Sequence, residues 1–273
     1  MNLYQGRALQ PGRRVRRRGA GPLVTRLVLL AGLAFLLAHL PWGTLRRRWA
    51  VVDRVRIEGA HYLDAARVAA RAGIHEGQDL FAVDLARARQ ALLLDPRIAR
   101  AEVRREWPRG VRVSIAERVP VLLVLHGVPW EVDSAGVLLA PLAKGVVADV
   151  PLLAGPDFAR QRAGTQVLTP EVRRGLAWVR ALAARELQLS GQVSEVDVSQ
   201  SWATGLLLMN GTRVLAPAWP PGTRELSALR VVLADLQHRG TIAEEIDLRF
   251  HDQVIVRPVP PAKAAAAAGP HRG

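Results

Sequence analysis

The chain has 273 residues, 49% hydrophobic and 23% charged, which suffices for two small folded domains plus extensions and excludes a wholly disordered polymer. It has no cysteine, which excludes disulfides and thiolate metal sites. Its formal charge of +14 is concentrated at one end: residues 1–52 hold ten Arg and no acid, leaving 28 basic residues against 24 acidic ones in the remainder.

From Leu27 to Leu45 nineteen residues carry no charge. As a helix they cover about 28 Å, roughly one hydrocarbon core. The apolar run is longer than the ~7–15 residues of a signal peptide and lacks an A-x-A cleavage site. Pro41 and Trp42 stand near its outer end, where an indole suits the lipid interface. Arginines beside such a run match lipid phosphates, and no aromatic side chain lies among Arg13–Arg18 to stack a base, so the pattern reads as membrane lipid and not nucleic acid. The expected order is a basic cytoplasmic tail over 1–22 and a transmembrane helix over 23–45. Seven Arg precede the apolar run and Arg46, Arg47 and Arg48 follow it, which predicts a cytoplasmic N-terminus and an external body.

Alternation over Val51–Ile57 predicts a strand ending at Glu58-Gly59. Asp64 and Asp84 are placed to cap helices over Ala65–Ala72, stopped by Gly73, and Leu85–Leu94, stopped by Asp95-Pro96. A hairpin follows, with Ala101, Val103, Arg105 and Trp107 alternating before a Pro108-Arg109-Gly110 turn and Val111, Val113 and Ile115 after it. This β-α-α-β-β order fills an α+β unit over 51–119.

A second domain is expected over 120–257, mixed α/β with an antiparallel-rich sheet. Its predicted strands are Val121–Leu125, Trp130–Asp133, Val137–Leu139, Val150–Leu153, Val193–Val198, Gly205–Met209, Thr212–Leu215, Ile246–Phe250 and Val254–Val256, with helices over Pro170–Leu187 and Arg224–Arg239. The tail 258–273 lacks large side chains able to offset its ordering entropy and reads as disordered.

Chemistry-bearing patterns are sparse. His75-Glu76 begins like a zinc H-E-x-x-H helix, but Asp79 stands where the second imidazole belongs. There is no G-x-S-x-G elbow, S-x-x-K motif or phosphate loop ending in lysine, and the only lysines are Lys144 and Lys263. Trp107, Trp130 and Trp178 fall on predicted apolar faces and read as core; Trp202 has no such explanation. No enzyme, metal, cofactor or small-molecule substrate is expected.

The stretches RIEGAHYL, GQDLFAVDL, DPRIARAEVRREWPRGVRVSIAERVPV and WEVDSAGVLL, in this order and spacing, resemble the POTRA module and following strands of FtsQ/DivIB cell-division proteins. The resemblance runs from Arg13 to Arg257, and Gly59, Trp107 and Pro108 match positions of the POTRA motif. It implies a non-catalytic scaffold of the inner membrane at the division septum, whose POTRA module contacts upstream proteins such as FtsK and whose second domain binds FtsB and FtsL. Ile246-Asp247-Leu248-Arg249-Phe250 resembles the signature before the strand that pairs with FtsB, which implies a partner site at Phe250, Val254, Ile255, Val256 and Arg257. The chain departs from the pattern at Asp252-Gln253, where glycine is frequent, and at Arg257-Pro258, where an aromatic can occur. A membrane-anchored POTRA protein acting in protein transport or envelope assembly is the alternative; such proteins normally add repeats and a barrel, which the remaining residues cannot hold.

Overall fold

The computed structural model describes residues 21–40, 50–142, 147–250 and 252–259. The predicted basic tail to residue 20, Pro41 and Trp42 with the end of the predicted span, and the C-terminal tail from 260 lie outside the described residues. Two compact units divide the chain, residues 1–51 and 52–273.

In the first unit, α1 (Gly21–His39) starts before the predicted span and stops six residues short of its end. Leu40 precedes Pro41, whose ring disfavours helical backbone on the residue before it. Leu27, Val28, Leu29 and Leu30 are each more than 60% exposed, so consecutive apolar side chains point outward around a full turn. No helix among the described residues is long and apolar enough to cross a membrane.

The second unit is α+β and holds two sheets. β1 (Arg54–Glu58), α2 (Ala65–Ala72), α3 (Leu85–Leu93), β2 (Ile98–Glu106) and β3 (Gly110–Glu117) follow one another in the POTRA order. Local chemistry sets the helix ends: the Asp64 carboxylate accepts from the Ala66 N–H, that of Asp84 from the Arg87 N–H at 2.9 Å, and Gly73 closes α2 at φ 66°. The sheet order is β1-β3-β2, with β1 parallel and β2 antiparallel to β3. Val68 and Leu92 from the helices pack with Val103, Val111 and Val113 from the strands into one core.

The larger sheet is mixed and nine-stranded, in the order β12-β11-β10-β9-β8-β7-β4-β5-β6. Its strands are β4 (Pro120–His126), β5 (Val128–Asp133), β6 (Leu138–Leu139), β7 (Leu152–Ala154), β8 (Val193–Asp197), β9 (Ala203–Leu208), β10 (Arg213–Pro217), β11 (Ala243–Asp247) and β12 (Ile255–Pro258). Between β7 and β8 lies α4 (Pro170–Leu182), and between β10 and β11 lies α5 (Thr223–His238). Both helices join neighbouring parallel strands running the same way, so right-handed crossovers put both on one face of the sheet. Trp178 and Leu182 of α4 accordingly share a core with Leu226 and Leu229 of α5.

Several boundaries correct the sequence-based expectation. α4 ends at Leu182 and not Leu187; the chain turns through Gln188 at φ 52° and returns Leu187 and Leu189 to the core as separate plugs. β11 lies three residues earlier than predicted, and β12 begins at Ile255, one residue later than predicted, and runs on to Pro258.

The two sheets meet at two ion pairs. Arg97, from the turn before β2, reaches Glu131 of β5 at 2.9 Å, with both side chains less than a tenth exposed, and also donates to the Ala140 carbonyl. Arg118, just after β3, donates to the Asp133 carboxylate at 2.7 Å and to the Pro96 carbonyl at 3.1 Å.

Candidate partner-binding edge

The end of β11 is set by a local clamp. Asp247 accepts the Arg249 backbone N–H at 3.0 Å and, through both oxygens, the Arg249 guanidinium, including one contact of 2.6 Å. A carboxylate that draws the backbone two residues on into a turn ends the strand there. That is why the predicted strand through Phe250 is cut at Asp247. The guanidinium hydrogen bond, followed by the backbone N–H, holds the Asp247 carboxyl below the usual range against some desolvation, and raises the Arg249 guanidinium in turn. Arg249 also lies over the indole of Trp202, 5.4 Å from the ring centroid, which accounts for a tryptophan that is 59% exposed.

Beyond the clamp the chain reverses through Asp252, at φ 59°, a left-handed backbone that glycine favours and aspartate tolerates. β12 then returns antiparallel to β11, with Ile255 opposite Asp247 and Val256 opposite Ile246. Val254 and Val256 pack against the core, whereas Ile255 is exposed. Arg257 faces Glu245 across the pair at 3.4 Å. Pro258 ends the strand opposite Ala243, a position where a residue without an N–H is tolerated on an outer strand. β12 is the last strand of the sheet order, and its other flank carries no strand among the described residues. Such a flank presents backbone donors and acceptors to any added strand. Of the five residues singled out, four thus lie on or beside this edge, and Phe250 sits in the turn before it, partly exposed.

The POTRA motif residues are elsewhere. Gly59 follows β1 at φ 80°, and a Cβ there would stand 2.0 Å from the Ile115 carbonyl oxygen. Pro108 follows a cis peptide bond at the β2–β3 turn. Trp107 is not in the core as expected: β2 ends at Glu106, the side chain leaves the sheet at the hairpin tip, and it is 74% exposed with its edge against Phe81. Trp178 is fully buried and donates from Nε1 to the Ala218 carbonyl, and Trp130 is half-buried and stacked on His126. Glu117, which nothing in the sequence picks out, accepts the backbone N–H groups of His61, Tyr62 and Leu63 at 2.9–3.0 Å and fixes the loop after Gly59. Among the described residues no group of His, Asp and Glu side chains could hold a metal ion.

The model of the FtsQ-type POTRA domain matches residues 51–118, and that of the FtsQ/DivIB C-terminal region matches residues 126–249. A cell division protein FtsQ of Streptomyces collinus is 33% identical over 231 residues, covering 78% of this chain and 83% of that protein. The chain belongs to the FtsQ/DivIB family. Cell division protein FtsQ of an Anaeromyxobacter strain is 29% identical over 255 residues, with 90% and 85% covered, and that of Geotalea daltonii is 27% identical over 211 residues, with 76% of each covered. As an FtsQ-family member it is a non-catalytic division protein, and the transport alternative falls away because the likeness covers the POTRA unit and residues 126–249 of the second domain. The C-terminal family match ends at Arg249, so β12 lies beyond it.

Proposed function

We propose that this FtsQ-family chain is a membrane-anchored scaffold, with a POTRA domain over 51–119 that meets upstream proteins such as FtsK and a second domain over 120–257 that recruits FtsB and FtsL by adding a strand from the partner to β12. It thereby supports septal peptidoglycan synthesis. The observation that carries this reading is the edge itself: an outer strand that no other strand among the described residues flanks, with an exposed β-branched side chain, Ile255, in line with two that anchor it to the core. Anchoring of the body outside the cytoplasm is supported by the uncharged run Leu27–Leu45, the exposed apolar side chains of α1 and the excess of Arg on its N-terminal side.

The test is Ile255→Glu in the full chain, with thermal unfolding and binding of purified FtsB–FtsL complex measured on the same preparation. The exposed position predicts a transition within about 2 °C of the parent. Affinity should fall at least about tenfold, because a carboxylate is then buried against the added strand. Undiminished binding by a folded variant rules out pairing at β12.

A further inference from the structure

Two large aromatic side chains stand exposed at the tip of the β2–β3 hairpin. Trp107 is three-quarters exposed there and Phe81, from the loop before α3, is nearly half exposed; their rings meet edge to face with centroids 6.1 Å apart. The pair is held firmly. Arg105 reaches across from β2 and donates to the carbonyls of Leu80, Phe81 and Val83, so the loop bearing Phe81 is tied to the strand that leads to Trp107. Two large aromatics kept exposed on a pinned scaffold lose little side-chain freedom when they are covered.

The position of the pair indicates what covers it. Val52, the first residue of the folded unit, bonds through its N–H to Gln78 and through its carbonyl to Gly77, and the Asp53 N–H donates to the Arg109 carbonyl, two residues past Trp107. The hairpin tip and the Phe81 loop therefore flank the point at which the chain joins the unit. Acids near the tip are matched by guanidiniums: Asp53 faces Arg109 at 3.7 Å, and Glu106 accepts from Arg112 at 2.7 Å and faces Arg56 at 3.4 Å. Each of these carboxylates is offset by a guanidinium, Arg105 is held by backbone carbonyls, and an exposed indole beside them suits the boundary between headgroups and acyl chains.

We propose that Trp107 and Phe81 form an interfacial foot that rests in the lipid surface. The inference rests on the anchored reading of α1. Because the chain has no cysteine, Ala82→Cys, exposed beside Phe81, carries a single fluorescent label, and Ala234→Cys, exposed on α5, serves as its control. Full-length protein is reconstituted in vesicles of phosphatidylcholine alone or with phosphatidylglycerol, with a quencher at headgroup depth. Quenching at position 82 should exceed that at 234 at least about threefold in both lipids, and Trp107→Ser, which removes an exposed ring, should abolish most of the excess without moving the thermal transition. Protein that floats with vesicles but shows equal quenching at the two positions overturns the foot and leaves the anchor standing. An excess confined to phosphatidylglycerol overturns the neutral-interface contact in favour of charge attraction. Protein that does not float overturns the anchor, and the foot with it.

Discussion

At Gly59 the constraint is geometric. The residue combines a left-handed φ of 80° with a backbone approach that leaves no room for a Cβ, which would sit 2.0 Å from the Ile115 oxygen. The atoms it would meet all belong to the Ile115 backbone and none is a flexible side-chain end, so β1 and β3 must separate locally to admit a methyl group. Gly59→Ala is expected to destabilise the folded unit by about 3 kcal/mol or more, read as a lowered denaturant midpoint. Asp247 presents an electrostatic constraint instead. Its carboxyl is depressed in the folded chain, chiefly by the Arg249 guanidinium, so its contribution is fully present above the unfolded carboxylate range and is lost as pH falls through the lower folded value. Asp247→Asn keeps an oxygen for the Arg249 N–H but loses the charge. Its stability deficit should be about 1 kcal/mol at pH 7 and should shrink toward zero as pH falls through the ordinary carboxylate range and past the lower folded value. Equal deficits at both ends of that titration would remove the charge from the account of the turn.

Among the elements of the second unit, helix starts were the more legible in sequence because their caps are written in adjacent residues, whereas the end of α4 at Leu182 was not. Asp64, Asp84 and Thr169 cap within three positions, and Gly73 terminates where a left-handed residue is needed. Strand ends depend on residues that no period reveals. Ile246, Leu248 and Phe250 alternate as a strand should, yet the Asp247–Arg249 clamp ends β11 first and leaves Phe250 outside the sheet. Trp107 likewise satisfies the alternation of β2 but falls one residue past its end. The outer place of β12 in the described sheet was readable from Val254–Val256 as the last predicted strand; the junction between the two sheets was not, since Arg97 and Glu131 are separated by a whole hairpin and carry no pattern. That junction gives a further prediction. Glu131→Gln leaves Arg97 buried opposite a neutral amide, and removal of one member of such a pair costs about 3–5 kcal/mol. Replacing both, Arg97→Met with Glu131→Leu, should cost less than the single change by equilibrium unfolding, because no buried charge is then left over.

For the molecule as a whole, composition located the charge at one end and the family likeness set the order of the two sheets. The proposed orientation follows from seven Arg ahead of the uncharged run against three behind it. A reporter enzyme active only in the cytoplasm, fused after Gly273, should be silent, while the same reporter fused ahead of Met1 should be active. The reverse pattern would invert the topology.

The order of the large sheet also has a temporal consequence. β12 comes after all its sheet partners in sequence, and it can dock only on β11, which reaches its own place beside β10 through the α5 crossover. A chain made from its N-terminus therefore completes this edge last. Until β12 has been made and docked on β11 there is no edge for the proposed partner strand to extend, so capture there, as proposed, waits for all nine strands of the sheet.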